Sequence, residues 1–170
     1  SGNTIVVPAS HMILRTIARS DDQSFPWFAP AGTRRGLVDN ANAIGFINSA
    51  TGEFQVDNVR ESLRDTLYSN RVNPITFFNG VGLMNYGQKT RAATTSSLDR
   101  INVARLANYL RGQLQATALG FVFEPNDKIT RDELKEQVEQ IMNDLVAKRG
   151  VYDYLVVCDD TNNTPTRIDR

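Results

Sequence analysis

Two long stretches of helical periodicity, each followed by a short apolar run, constrain this chain more than any other feature. From Ser97 to Leu119, the residues Val103, Leu106, Leu110 and Leu114 form one apolar stripe, with Asp99 the expected cap and Gly120 the stop. Phe121-Val122-Phe123 then reads as a short buried strand. From Thr130, the run Thr-Arg-Asp-Glu133 reads as a capping box, in which the Thr and Glu side chains satisfy free amides of the first turn. Leu134, Val138, Ile141 and Leu145 continue that helix, and Gly150 is the expected left-handed residue at its end. Tyr152–Cys158 is a second apolar strand. A helix–strand–helix–strand order predicts that the two strands lie parallel and adjacent, because a crossover helix returns the chain to the same sheet. The expected fold class is α/β in the sense of an α+β sandwich, a mixed sheet backed by helices.

The first half is punctuated more heavily. Met12, Ile13 and Ile17 after Pro8 predict a short helix over Ala9–Arg19. Pro26 and Pro30 bracket Trp27 and Phe28 in a loop pinned by buried rings. Val59, Leu63 and Leu67 predict a helix capped by Asp57 that stops near Asn70, before Asn73-Pro74. Ile75–Phe78, Asn79-Gly80 and Val81–Tyr86 read as a hairpin. No internal repeat or internal domain boundary stands out, so 1–170 reads as a single domain. Ser1-Gly2 in place of an initiator Met reads as the start of a processed or excised piece.

Composition removes several function classes. The 19 basic and 19 acidic residues cancel, and the longest basic run is Arg34-Arg35, so a phosphate-gripping nucleic-acid surface is not expected. No apolar run approaches the ~18 residues of a membrane span, and no signal-peptide layout opens the chain. Arg outnumbers Lys, and a near-neutral, Arg-rich chain leans toward self-association. A lone Cys158 excludes an internal disulfide, and with His11 the only histidine there is no zinc set and no nucleophile–base pair. Gly80-Val81-Gly82 lacks the third glycine of a dinucleotide loop, and no phosphate-binding Gly-Lys loop occurs, so no cofactor is expected.

One enzymatic reading stands on placement. Glu124 and Asp127 follow the first expected strand, and Asp159 and Asp160 follow the second. Parallel neighbours would gather these four carboxylates at the strand ends, where open α/β sheets place ligands and where Mg²⁺ for phosphoryl transfer could sit. The simpler account is turn chemistry: Glu-Pro-Asn-Asp and Asp-Asp-Thr-Asn-Asn are both turn-forming sequences.

Phe121-Val-Phe-Glu-Pro-Asn-Asp127, a helix, and then Val157-Cys-Asp-Asp-Thr-Asn-Asn-Thr-Pro165 resemble the C-terminal polymerising domain of contractile phage tail sheath proteins. Asp99–Leu106 resembles the opening of that family's long helix, Ala29–Gly36 its Pro-Gly loop, Asn73–Thr90 its hairpin, and Thr164–Arg170 the stretch before its last strand. The matches run in order along nearly the whole chain. The family usually adds N-terminal domains and a terminal arm, so the resemblance implies a fragment lacking that arm.

What the resemblance implies is mechanical, not catalytic. Sheath subunits stack as hexameric rings, a helical homopolymer around a tail tube. An extended arm of one subunit completes the open sheet edge of another by strand addition. Baseplate-triggered contraction then drives the tube through the host envelope, in the virion's contractile tail, assembled in the host cytoplasm. The expected partners are the protein itself, the tube protein and the baseplate, with no nucleic acid and no membrane insertion. Expected interface positions are Tyr154, Val156 and Cys158 on the open edge, and Arg34, Arg35, Arg105 and Arg111 on Arg-rich surfaces. An adaptor that binds an extended peptide by the same edge without polymerising is a third reading.

Overall fold

A computed structural model of the chain describes residues 4–164 and 166. It divides into two compact units, Ser1–Arg105 and Leu106–Arg170. The class is α+β: helices with two small antiparallel sheets.

In the first unit, α1 (Ala9–Gln23) runs one turn beyond its expected end and stops where Ser24 turns extended. Ser24 returns its hydroxyl and its amide to the Ser20 carbonyl, which satisfies the last turn. The aromatic loop follows as expected, with Trp27 buried and Phe25 stacked on it at 5.0 Å. A single turn, α2 (Gly32–Arg35), leads into residues 36–38, which lie along one edge of a hairpin. That hairpin is β3 (Ile75–Phe78) and β4 (Gly82–Asn85), paired Ile75↔Asn85 through Phe78↔Gly82. Its connection is three residues, Asn79–Val81, with Gly80 and Gly82 both at positive φ. Val38 N–H donates to the Leu83 carbonyl and Asn85 N–H to the Gly36 carbonyl, so β4 is bonded on both sides. Val38, Ile75 and Leu83 form the core here, with Met12, Ile13, Ala41 and Ile44 packed around them.

A second hairpin, β1 (Gly45–Ile47) and β2 (Phe54–Val56), was not anticipated. Ile44–Ile47 and Phe54–Val56 flank Asn48 and Gly52, and Gly52 sits at φ 71 to close the turn. Apolar–turn–apolar is the signal that could have found it.

The helix expected from Asp57 begins later, as α3 (Glu61–Ser69). Asp57 does not cap it: its carboxylate accepts from Val59 N–H at 2.8 Å, and Val59 stands at φ 52, off the helical path. The end of α3 is a Schellman motif, with Arg71 left-handed, Arg71 N–H on the Tyr68 carbonyl and Val72 N–H on the Leu67 carbonyl.

A one-turn 3₁₀ helix, Ser97–Asp99, precedes α4 (Ile101–Leu119), and Arg100 between them is extended because it bridges to Lys89. Asp99 therefore belongs to the preceding turn and is not the cap of α4. In the second unit, α5 (Lys128–Ala147) starts two residues before the expected capping box. Its cap is Asp127, which accepts from Thr130 N–H at 2.9 Å; Thr130 is already inside the first turn. The expected stripe on α5 is half-buried, with Leu145 wholly buried. Its C-terminus is a second Schellman motif, and the left-handed residue is Arg149, not Gly150.

Candidate interaction surfaces

The two strands expected to lie side by side are not formed among the described residues. Residues 120–124 close on themselves through successive turns: Gly120 N–H to the Thr117 carbonyl, Phe121 N–H to that of Ala118, Glu124 N–H to that of Phe121. Three apolar residues between turn formers find no ladder partner, and Phe123 is left 97% exposed. Residues 151–158, apolar from Tyr154 onward, carry no ladder hydrogen bond to another described segment. A strand is defined by its partner, so without one this apolar run has no regular assignment.

Its burial nevertheless alternates. Tyr154, Val156 and Cys158 are half-buried, while Leu155 is 87% exposed and Val157 is exposed too. Tyr154 sets this parity by donating its hydroxyl to Asn143 Oδ1 at 2.7 Å, on α5. The expected edge residues Tyr154, Val156 and Cys158 are thus the inward set, and Leu155 and Val157 face solvent. Alternation could not choose between them, because Tyr-Leu-Val-Val-Cys is apolar on both faces. The hydroxyl of Tyr154, which needs a partner when half-buried, was the available clue.

The loop beyond is tied down by its own polar side chains. Asp159 accepts from Thr161 N–H at 2.8 Å and from the Thr161 hydroxyl, which lowers its carboxyl below the usual range. Asn162 donates to the Val157 carbonyl at 2.7 Å, and Asp160 pairs with Arg131 at 2.7 Å. Asp127 is held low chiefly by the Thr130 amide it caps. Of the four carboxylates considered for Mg²⁺, one therefore caps a helix, one closes a turn and one pairs with Arg131, while Glu124 is exposed on its turn. Among the described residues no group of three or more acidic, His or Cys side chains could hold a metal. Turn chemistry is the better account of these residues.

The expected Arg positions have diverse surroundings. Arg34 is exposed on α2. Arg35 donates to the Ala29 carbonyl at 3.1 Å and lies 5.0 Å over the Phe28 ring, so it rigidifies the aromatic loop. Arg105 pairs with Asp21 of α1, and Arg111 is exposed and donates to Asn108 at 3.1 Å.

Among the described residues no helix is long and apolar enough to cross a membrane.

Known proteins resemble the chain throughout. Residues 93–170 match the family model of the phage tail sheath C-terminal domain. Over 164 residues, 96% of this chain, the sequence is 38% identical to the tail sheath protein of Vibrio phage KVP40 and 37% identical to that of Enterobacteria phage T4. The tail sheath protein of Salmonella phage ViI is 30% identical over 158 residues. The chain spans 23% of the length of each of these relatives. In fold it is similar to the sheath complex of the extracellular contractile injection system PVC in its contracted state, with a TM-score of 0.69 at 20% identity. That match covers 90% of this chain and 39% of that one. A chain of the anti-feeding prophage baseplate gives 0.68 at 22% identity, covering 83% and 35%. Residues 93–170 thus match the phage tail sheath C-terminal domain, and along its length the chain is similar to phage tail sheath proteins.

Proposed function

We propose that this chain is part of a structural subunit of a contractile tail sheath, which polymerises as stacked hexameric rings around a tail tube. The observation that carries it is the sheath-family match over 96% of the chain, strongest in kind where residues 93–170 meet the C-terminal domain model. The apolar segment 151–158 supports the same reading. It has no ladder partner among the described residues and exposes Leu155 and Val157 beside its backbone, as a sheet edge awaiting an added strand would. The partners are other copies of the protein, the tube protein and the baseplate, the location is the virion's contractile tail, and no cofactor takes part. Tyr154, Val156 and Cys158 support that edge from beneath, while Arg34 and Arg111 are exposed enough to meet a neighbour.

The test is assembly by the chain extended to the full length of its relatives. Electron microscopy should show tubular polymers, with or without tube protein. Monomers alone under both conditions would refute the reading. The phosphotransfer alternative makes a separate demand: calorimetric Mg²⁺ binding abolished by Asp159→Ala.

A further inference from the structure

The balanced charge of the whole chain conceals a separation between its units. Residues 1–105 carry eleven Arg or Lys against eight Asp or Glu, whereas residues 106–170 carry eight against eleven. The chain is neutral because an excess of three positive charges in one unit cancels three negative charges in the other.

The positive excess has an unusual anchoring. Arg64 lies 5.3 Å from the Phe78 ring centre and 5.7 Å from that of Tyr86, and Lys89 lies 3.8 Å from the ring centre of Tyr68. Arg71 donates to the Ala93 carbonyl at 3.1 Å, and Arg91 to the Asn70 carbonyl at 3.4 Å. Rings and carbonyls fix these four cations in place without neutralising them. None of the four forms an ion pair with a carboxylate among the described residues. Their side-chain entropy is already reduced, so a negative partner meets a preorganised surface. In the other unit, Lys128–Asp132, Lys135–Glu139 and Lys148–Asp144 neutralise one another along α5. Glu133 and Glu136 make no such pair among the described residues, and they line a polar groove with Gln113 of α4 and Gln137 and Gln140 of α5.

We infer that copies of this chain associate head to tail, the Arg64–Arg71–Lys89–Arg91 surface of one docking on the α4–α5 groove of the next at Glu133 and Glu136. Two different faces meet, so the contact is heterologous: each copy keeps one face of each kind free, and association continues into an open or ring-closed series. Charge complementarity of this kind fixes register and accelerates encounter more than it adds affinity. The inference rests on the sheath reading for its partner, a second copy, but is tested separately from it.

Analytical ultracentrifugation of the 170-residue chain provides the test, at about 0.05 M and about 0.5 M NaCl, where screening of exposed charges differs severalfold. Association should be seen at the lower salt and weaken about tenfold or more at the higher. Arg71→Gln/Arg91→Gln, which removes half of the basic surface, and Glu133→Gln/Glu136→Gln should each lose self-association, with circular dichroism reporting that both fold. Mixed together, these two variants retain one intact face each and should form one-to-one pairs and nothing larger. Monomers at low salt, association indifferent to salt, or a mixture that stays monomeric would each overturn the inference. If the full-length protein still forms tubes in that case, the sheath reading stands and only this contact is wrong.

Discussion

Thr76 is wholly buried on β3, and its hydroxyl lies 2.9 Å from the Asn58 carbonyl and 3.0 Å from the Val59 carbonyl. One hydroxyl proton is shared between two main-chain acceptors, at the point where a β-branched residue holds φ 52. Left-handed backbone costs a non-glycine residue about 1–2 kcal/mol, so the surroundings must hold Val59 there. Burial of its side chain, the Asp57 carboxylate on its N–H and the Thr76 hydroxyl on its carbonyl are the restraints. Thr76→Val keeps the shape, removes the donor and leaves the buried Val59 carbonyl short of a partner, an expected loss of about 1–3 kcal/mol. For a unit of this size that corresponds to a fall in melting temperature of roughly 5–15 °C. Thr76→Ser keeps the hydroxyl and should lose clearly less. Trp27 is the only tryptophan and is buried in the same unit, so its fluorescence during urea unfolding reports this unit and not the other. A Thr76→Val midpoint within about 0.5 kcal/mol of the parent, the range of an indifferent surface change, would refute the restraint.

Gly45→Ala should open the β1–β2 hairpin, because a Cβ there would fall on the Gln55 carbonyl across the ladder; loss of amide protection at Phe46 and Gln55, the hydrogen-bonded pair, checks it. Arg149→Gly should stabilise the end of α5 by about 0.5–1 kcal/mol, since glycine occupies the left-handed position without penalty, read as a higher urea midpoint by far-ultraviolet circular dichroism. The cap of α5 should weaken in acid. The Asp127 carboxyl is lowered in the folded chain, so it contributes stability above its unfolded value near 3.8, and that contribution fades as pH falls through the lower folded value. A fall in the protection factor of the Thr130 amide as pH drops below 3.8, which Asp127→Ala does not show because its protection is already low at every pH, is the expected record.

Local signals are legible in the sequence where local physics decides. Helical stripes, the Asn79-Gly80 hairpin and the Pro-bracketed aromatic loop all follow from spacing and backbone preference within about a dozen residues, and the structure carries each. Helix ends are less legible. Asp127 precedes Thr130 as a competing cap, and Arg149 precedes Gly150 as the left-handed residue; both depend on where the first and last turns close, which alternatives two or three residues apart leave open.

The sequence by itself determined that this is an α+β chain with no histidine–nucleophile pair, no phosphate loop and the ordered motifs of a sheath domain. Only the tertiary structure decided that residues 121–123 turn back on themselves, that Leu155 and Val157 face outward while Tyr154 is held to α5, and that basic and acidic excesses fall in separate units. The reason is that helices satisfy their hydrogen bonds within a few residues of chain. Strands, side-chain parity and charge fields depend on partners that the linear order does not name.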